Sequence, residues 1–85
     1  VPWQIEFEPA ARRELRDLDR PTQERILKSL ANVADNPRTA PNVKALQGQP
    51  GYRLRVGDWR VVYTLQDDVL TVLVVRIAHR REAFR

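Results

Sequence analysis

Cysteine and methionine are absent from this 85-residue chain, and histidine and serine occur once each, as His79 and Ser29. Without cysteine there is no disulfide framework and no thiolate metal site, and a reducing cytoplasm is the simplest setting. The lone histidine has no carboxylate pair at ligand spacing around it, so neither a metal nor any other cofactor is expected. Ser29 falls inside a helical stretch rather than on a nucleophile elbow, which argues against a serine hydrolase. The three glycines, Gly48, Gly51 and Gly57, do not form a phosphate-cradling loop, and nothing gathers the carboxylates into a glycosidase-like pair. No apolar run approaches the roughly 20 residues of a membrane span, and no signal-peptide pattern opens the chain. No membrane partner is expected. Since the chain starts at Val1 and has no Met, an initiator methionine is expected to have been removed in the cell or lost in preparing the protein.

What is present is a globular composition, 42% hydrophobic and 31% charged. The length sets one domain over residues 1–85, with a compact core. The formal charge is +4, and its distribution is uneven. Residues 1–50 hold eight Lys/Arg against seven Asp/Glu, whereas residues 51–85 hold seven Arg against four acids. All the positive charge of the second half is therefore arginine, whose planar fork matches phosphate. Nucleic acid is the partner this favours over a merely basic surface.

Trp3-Gln4-Ile5-Glu6-Phe7 alternates as a short strand. Pro9 suits the first position of a helix, with Ala11, Leu15 and Leu18 on its inner stripe. Pro21 opens a second helix running to about Asp35, with Ile26, Leu27, Leu30, Val33 and Ala34 inward, and Asn36-Pro37 stops it. From Pro37 to Gly51 the residues predict a loop anchored in the core by Leu46 and Val43. Val69–Ile77, almost wholly β-branched or leucine, predicts a central strand, and Ala78–Arg85 a basic tail. The order is β-α-α-β-β-β. It predicts an α+β fold, a helical hairpin packed on one face of a mostly antiparallel four-stranded sheet.

The most informative stretch is Tyr52–Tyr63. It alternates, turns at Gly57-Asp58 and returns, the pattern of a hairpin with glycine at the first central position of a type II′ turn. Counting outward pairs Val56 with Trp59, Arg55 with Arg60, Leu54 with Val61, Arg53 with Val62 and Tyr52 with Tyr63. One face is then core, and the other carries Arg53, Arg55 and Arg60. Two guanidinium groups set opposite each other cost a few tenths to about 1 kcal/mol unless an anion lies between them. Counting Asp67-Asp68 as a two-residue turn places Thr71, Leu73, Val75 and Ile77 beside Arg60 and Val62, an apolar strip that calls for a covering partner; a turn one residue longer places Leu70, Val72 and Val74 there instead.

Convergent arginines grip phosphate and stabilise charge on a phosphoryl oxygen, but they are poor general bases. RNA needs no enzymic nucleophile, because its 2′-OH can attack the adjacent phosphate. His79 has the one side chain that ordinarily titrates near neutrality; surface decoration and proton transfer both remain open for it. Phe84 has two readings as well, packing on the sheet or stacking on a base.

Leu46-x-Gly48, the run Tyr52–Tyr63, and Val74-Val75-Arg76-Ile77-Ala78-His79-Arg80-Arg81-Glu82 together make the chain resemble the RelE branch of the RelE/ParE toxin superfamily. The resemblance covers essentially the whole chain. It implies the toxin of a type II toxin–antitoxin pair, a ribosome-dependent endoribonuclease that cuts mRNA in the A site by 2′-OH attack and leaves a 2′,3′-cyclic phosphate. It implies Arg53 and Arg55 at hairpin positions that activate the 2′-OH and hold phosphate, Arg60 stabilising the transition state, and Arg80 protonating the leaving 5′-oxygen. His79, Arg81 and Phe84 would contact RNA. Two departures stand out: arginine replaces the usual lysine at positions 53 and 55, and Phe84 replaces the usual tyrosine. The implied partners are the ribosome and mRNA, and a cognate antitoxin, acidic and wrapping the toxin, through which alone operator DNA is bound. The alternative is a ParE-like toxin acting on DNA gyrase without cutting RNA.

Overall fold

The computed structural model describes residues 2–83. Strand β1 (Gln4–Phe7) leads into helices α1 (Pro9–Arg16) and α2 (Arg20–Asp35); strands β2 (Val43–Ala45), β3 (Tyr52–Val56), β4 (Trp59–Gln66) and β5 (Thr71–His79) follow, and the short helix α3 (Arg80–Ala83) ends the described chain. The sheet has five strands in the order β1-β5-β4-β3-β2, with β1 parallel to β5 and every other pair antiparallel. The expected four-stranded sheet is thus corrected by one strand. Val43-Lys44-Ala45 lies in the segment expected to be a loop, yet it pairs with Leu54, Arg53 and Tyr52. Three residues are too short for a period to register.

The helical hairpin forms as the prolines dictate, with Pro9 and Pro21 in the first turns of α1 and α2. A side chain stabilises the turn between them. The Gln23 amide donates to the carbonyls of Leu15 at 2.9 Å and Leu18 at 3.0 Å, satisfying acceptors the end of α1 leaves open. Ala11 of α1 and Ile26, Leu30 and Val33 of α2 are buried with Leu54, Val61, Tyr63, Val72, Val74 and Ile77 of the sheet. Leu27 is the exception to the expected stripe, at 45% exposed. It lies one residue, about 100° of helix, beyond Ile26 and so turns off the core face.

The β3–β4 register is the one counted from the sequence, Tyr52 to Tyr63 through Val56 to Trp59. Gly57 has φ +59°, while Asp58 is not among the residues of positive φ, which fits glycine at the first central position of a type II′ turn. The β4–β5 connection differs from both counts. It is four residues long, Asp67–Val69 in a 3-10 turn followed by Leu70 in the left-handed region at φ +47°. Four has the parity of two, so Leu73 keeps the face of Thr64, though it now pairs with Thr64 rather than Val62. A β-bulge then intervenes, because Tyr63 pairs with Val74 and Val62 with Arg76. It carries Ile77 into the core, 2% exposed, and brings Arg76 and Ala78 to the face that holds Arg60. The strip beside the arginines is thereby shorter and more polar than counting alone implies. Among the described residues, no helix is long and apolar enough to cross a membrane.

Candidate active site

Alternation on β3 and β4 sends Arg53, Arg55 and Arg60 to the sheet face that the helices leave open. Arg55 pairs with Arg60, Arg53 with Val62, and β5 sets the small Ala78 across from Arg60 on its other side. Edge strand β2 contributes Lys44, directly opposite Arg53 and hence on the same face. The result is a depression of about 310 Å³ lined by Asn42, Val43, Lys44, Arg53, Arg55 and Arg60. A second, of about 410 Å³, shares Arg53 and Arg60 and is more apolar, with Leu46, Pro50, Val62, Val75 and Ala78 in its wall.

Arg60 is the unusual member. It is 9% exposed, and its guanidinium is held below the ordinary arginine range, first by burial and then by the charges of Arg55, Arg53 and Arg80; Asp58 opposes the effect. Burying a cation among cations is costly in an empty site and favourable once a dianionic or developing negative charge arrives. This electrostatic asymmetry suits a phosphoryl transition state.

Arg80 is brought to the site by a clasp at the hairpin turn. Its backbone N–H donates to the Asp58 carbonyl at 2.7 Å, and its guanidinium lies 3.7 Å from the Asp58 carboxylate. His79 goes the other way. It pairs with Trp59 and meets that ring edge-on at a centroid distance of 5.3 Å, on the face that carries Leu54 and Val56. Its Nδ1 accepts the Arg81 N–H at 3.3 Å. Strand β5 continues through residue 79, so alternation sets the His79 side chain on the face opposite the arginine cluster. Arg81 is exposed. Phe84 lies outside the described residues.

Leu46 also changes place. It was expected to anchor the loop in the core, but Val43 does so, while Leu46 lines the depression beside Arg53 and Arg60. A bond from the Leu46 N–H to the Gly51 carbonyl, 3.0 Å long, extends the β2–β3 pairing. Among the described residues, no group of three or more His, Asp or Glu side chains could hold a metal ion.

The family model described as the ParE toxin of type II toxin–antitoxin systems, parDE, matches residues 5–84. The chain belongs to that toxin family. It is also similar to the mRNA interferase toxin RelE of Escherichia coli (strain K12), 29% identical over 82 residues that cover 93% of this chain and 84% of that protein. Among solved structures, it resembles a chain of the intact E. coli RelBE toxin–antitoxin complex, with 30% identity, a TM-score of 0.79, and 91% and 95% of the two chains covered. A chain of the RelBE2 complex of Mycobacterium tuberculosis superposes with a TM-score of 0.82 at 25% identity, covering 94% of this chain and 100% of that one. Two helices on a mixed five-stranded sheet is the fold shared with these RelE toxins.

In this toxin, the sequence reading missed Lys44, Asn42 and Asp58 at the site. The alternation Val43-Lys44-Ala45 was the available signal for the first. Asn42 was hidden by its backbone, since φ +67° marks a residue outside any strand pattern, though its carbonyl accepts the Arg55 N–H at 3.0 Å.

Proposed function

We propose that this toxin is a ribosome-dependent endoribonuclease, an mRNA interferase that cuts mRNA in the A site. The carrying observation is the buried Arg60 directly across from Arg55, with Arg53 and Arg80 adding charge to the same place. In this reading the scissile phosphate sits over Arg55 and Arg60. Arg53 and Arg55 hold its non-bridging oxygens and orient the upstream ribose, so that the 2′-oxygen lies in line with the 5′-oxygen that leaves. Arg60 meets the charge that builds on phosphorus, and Arg80 stabilises the departing oxygen. No cofactor is needed, because the nucleophile belongs to the RNA.

The RelE names of the curated and structural relatives support this reading over gyrase inhibition. The ParE-like alternative draws on the wording of the family description, and a gyrase binder has no use for four arginines at one phosphate. Within the proposal, residues 1–85 act as one domain in the cytoplasm. The partners are the ribosome, mRNA and a cognate antitoxin, acidic and partly disordered, that wraps the toxin and links it to operator DNA. An antitoxin partner is supported by the RelBE toxin–antitoxin complexes among the similar structures. The test is primer extension on translated and untranslated mRNA, run beside a gyrase supercoiling assay. Cuts within codons that require ribosomes are expected. Loss of supercoiling with intact mRNA would favour the alternative.

A further inference from the structure

Among the described residues, Asp58 is the carboxylate beside the arginine cluster, and it is held at the turn by Arg80; the depression itself holds an amine that the hairpin does not supply. We propose that Lys44 is a catalytic residue, the general base that takes the 2′-OH proton. The inference rests on the nuclease reading and names a chemical role within that site.

Three observations carry it. Lys44 stands directly across from Arg53 in the β2–β3 register, on the face of the arginines. It lines the same depression as Arg53, Arg55 and Arg60 and, with Arg53, an adjoining one. Among the described residues, no histidine or carboxylate lines these depressions, and His79 is on the other face with Trp59. Of the cations present, arginine does not release its proton near neutrality, whereas lysine yields a neutral amine that can accept one. The chain has 13 arginines and two lysines, Lys28 and Lys44, and Lys28 is on α2, which packs on the opposite side of the sheet. Lys44 is exposed on an edge strand, so its long stem is free to reach a ribose.

The step balances without any added reactant but water. The 2′-oxygen bonds to phosphorus, its proton passes to the Lys44 amine, and the P–O5′ bond breaks. The 5′-oxygen takes a proton from water beside Arg80, and the Lys44 ammonium later returns one to water. The charged groups lining the depression with Lys44 are Arg53 and Arg55 from β3 and Arg60 from β4.

The absence of cysteine makes the test clean. Single-turnover cleavage of mRNA on programmed ribosomes is measured for the parent, for Lys44→Arg, and for Lys44→Cys before and after alkylation with bromoethylamine, which restores an amine at that position alone. Lys44→Arg keeps the charge and is expected to cleave about 10²-fold or more slowly while binding ribosomes like the parent. Alkylated Lys44→Cys is expected to regain cleavage, with its pH–rate profile shifted to lower pH because the sulfur makes the amine less basic. A Lys44→Arg variant within a few-fold of the parent overturns the proposal. So does alkylated Lys44→Cys that stays inactive or shows an unshifted profile. A parent that never cuts mRNA overturns the nuclease reading, and this inference with it.

Discussion

Arg55 and Arg60 are direct cross-strand partners on the open face of the sheet, and Arg60 is the buried one of the two. Like charges in that position destabilise a ladder, so the pair weakens the sheet at the place where the proposed function puts a phosphate. Replacing Arg60 separates the two effects. Arg60→Ala is expected to lower ribosome-dependent cleavage by about 10²- to 10³-fold, the usual loss on removing one stabiliser of transition-state charge. The melting temperature should not fall with it. A variant that cuts at the parental rate would remove Arg60 from the site.

Tyr63 holds the fold together from the other face of the same strand. Its buried hydroxyl donates to the Pro37 carbonyl at 2.6 Å, tying the end of α2 to the middle of the sheet. Tyr63→Phe leaves that carbonyl unpaired and is expected to cost about 1–2 kcal/mol, or several degrees in melting temperature for a domain of this size.

The same hydroxyl sets an alkaline limit. Burial, and then the neighbouring Tyr52, push the Tyr63 pKa up to about 12 from its ordinary 10.0. The folded state therefore keeps a proton that the unfolded chain has lost. Its contribution is complete below pH 10 and declines as pH rises toward about 12. Denaturant midpoints measured across this interval should fall for the parent and fall less for Tyr63→Phe. Tyrosinate absorbance should show one group titrating with unfolding.

Gly57 is favoured by its backbone more than by its surroundings. Its φ of +59° is in the left-handed region, and a Cβ there would come within 3.0 Å of Arg25 Nη2. That guanidinium is the mobile end of a long side chain and can withdraw, so the backbone term dominates. Gly57→Ala should cost about 1–2 kcal/mol, and Gly57→Asn less, since asparagine tolerates this region better. Equal melting temperatures for parent and alanine variant would mean that the turn rearranges freely.

Local pattern carried most of this architecture. The β3–β4 register followed from alternation around a two-residue turn, since both operate over nearest neighbours, and the helix stripes followed from period and proline. What escaped was set by tertiary contact. Val43–Ala45 becomes a strand because Tyr52–Leu54 offers it an edge. Ile77 enters the core because of a bulge that nothing in Val74-Val75-Arg76 announces. The arginines of the site were legible because charge on one face of a strand is conspicuous. Lys44 was not, because its face is defined by a pairing that spans the Pro- and Gly-containing segment between β2 and β3. The face of His79 was not legible either, because strand parity, set by the bulge, places it beside Trp59.

Asp58 joins the hairpin turn to the tail, through its carbonyl to the Arg80 N–H and through its carboxylate to the Arg80 guanidinium. Both charged ends are exposed, so the ion pair itself contributes at most about 1 kcal/mol. Its effect should lie in placement. Asp58→Ala keeps the backbone bond and is expected to leave the melting temperature within a few degrees of the parent. The guanidinium of Arg80, freed from its tether, would then sample positions away from the leaving oxygen, and single-turnover cleavage should slow several-fold. Asp58 also offsets part of the positive field on Arg60, so removing it should tighten binding of an anionic RNA analogue while cleavage slows. Tighter binding with slower cutting is the expected signature. Slower cutting with proportionally weaker binding would instead mean that Asp58 merely supports the turn.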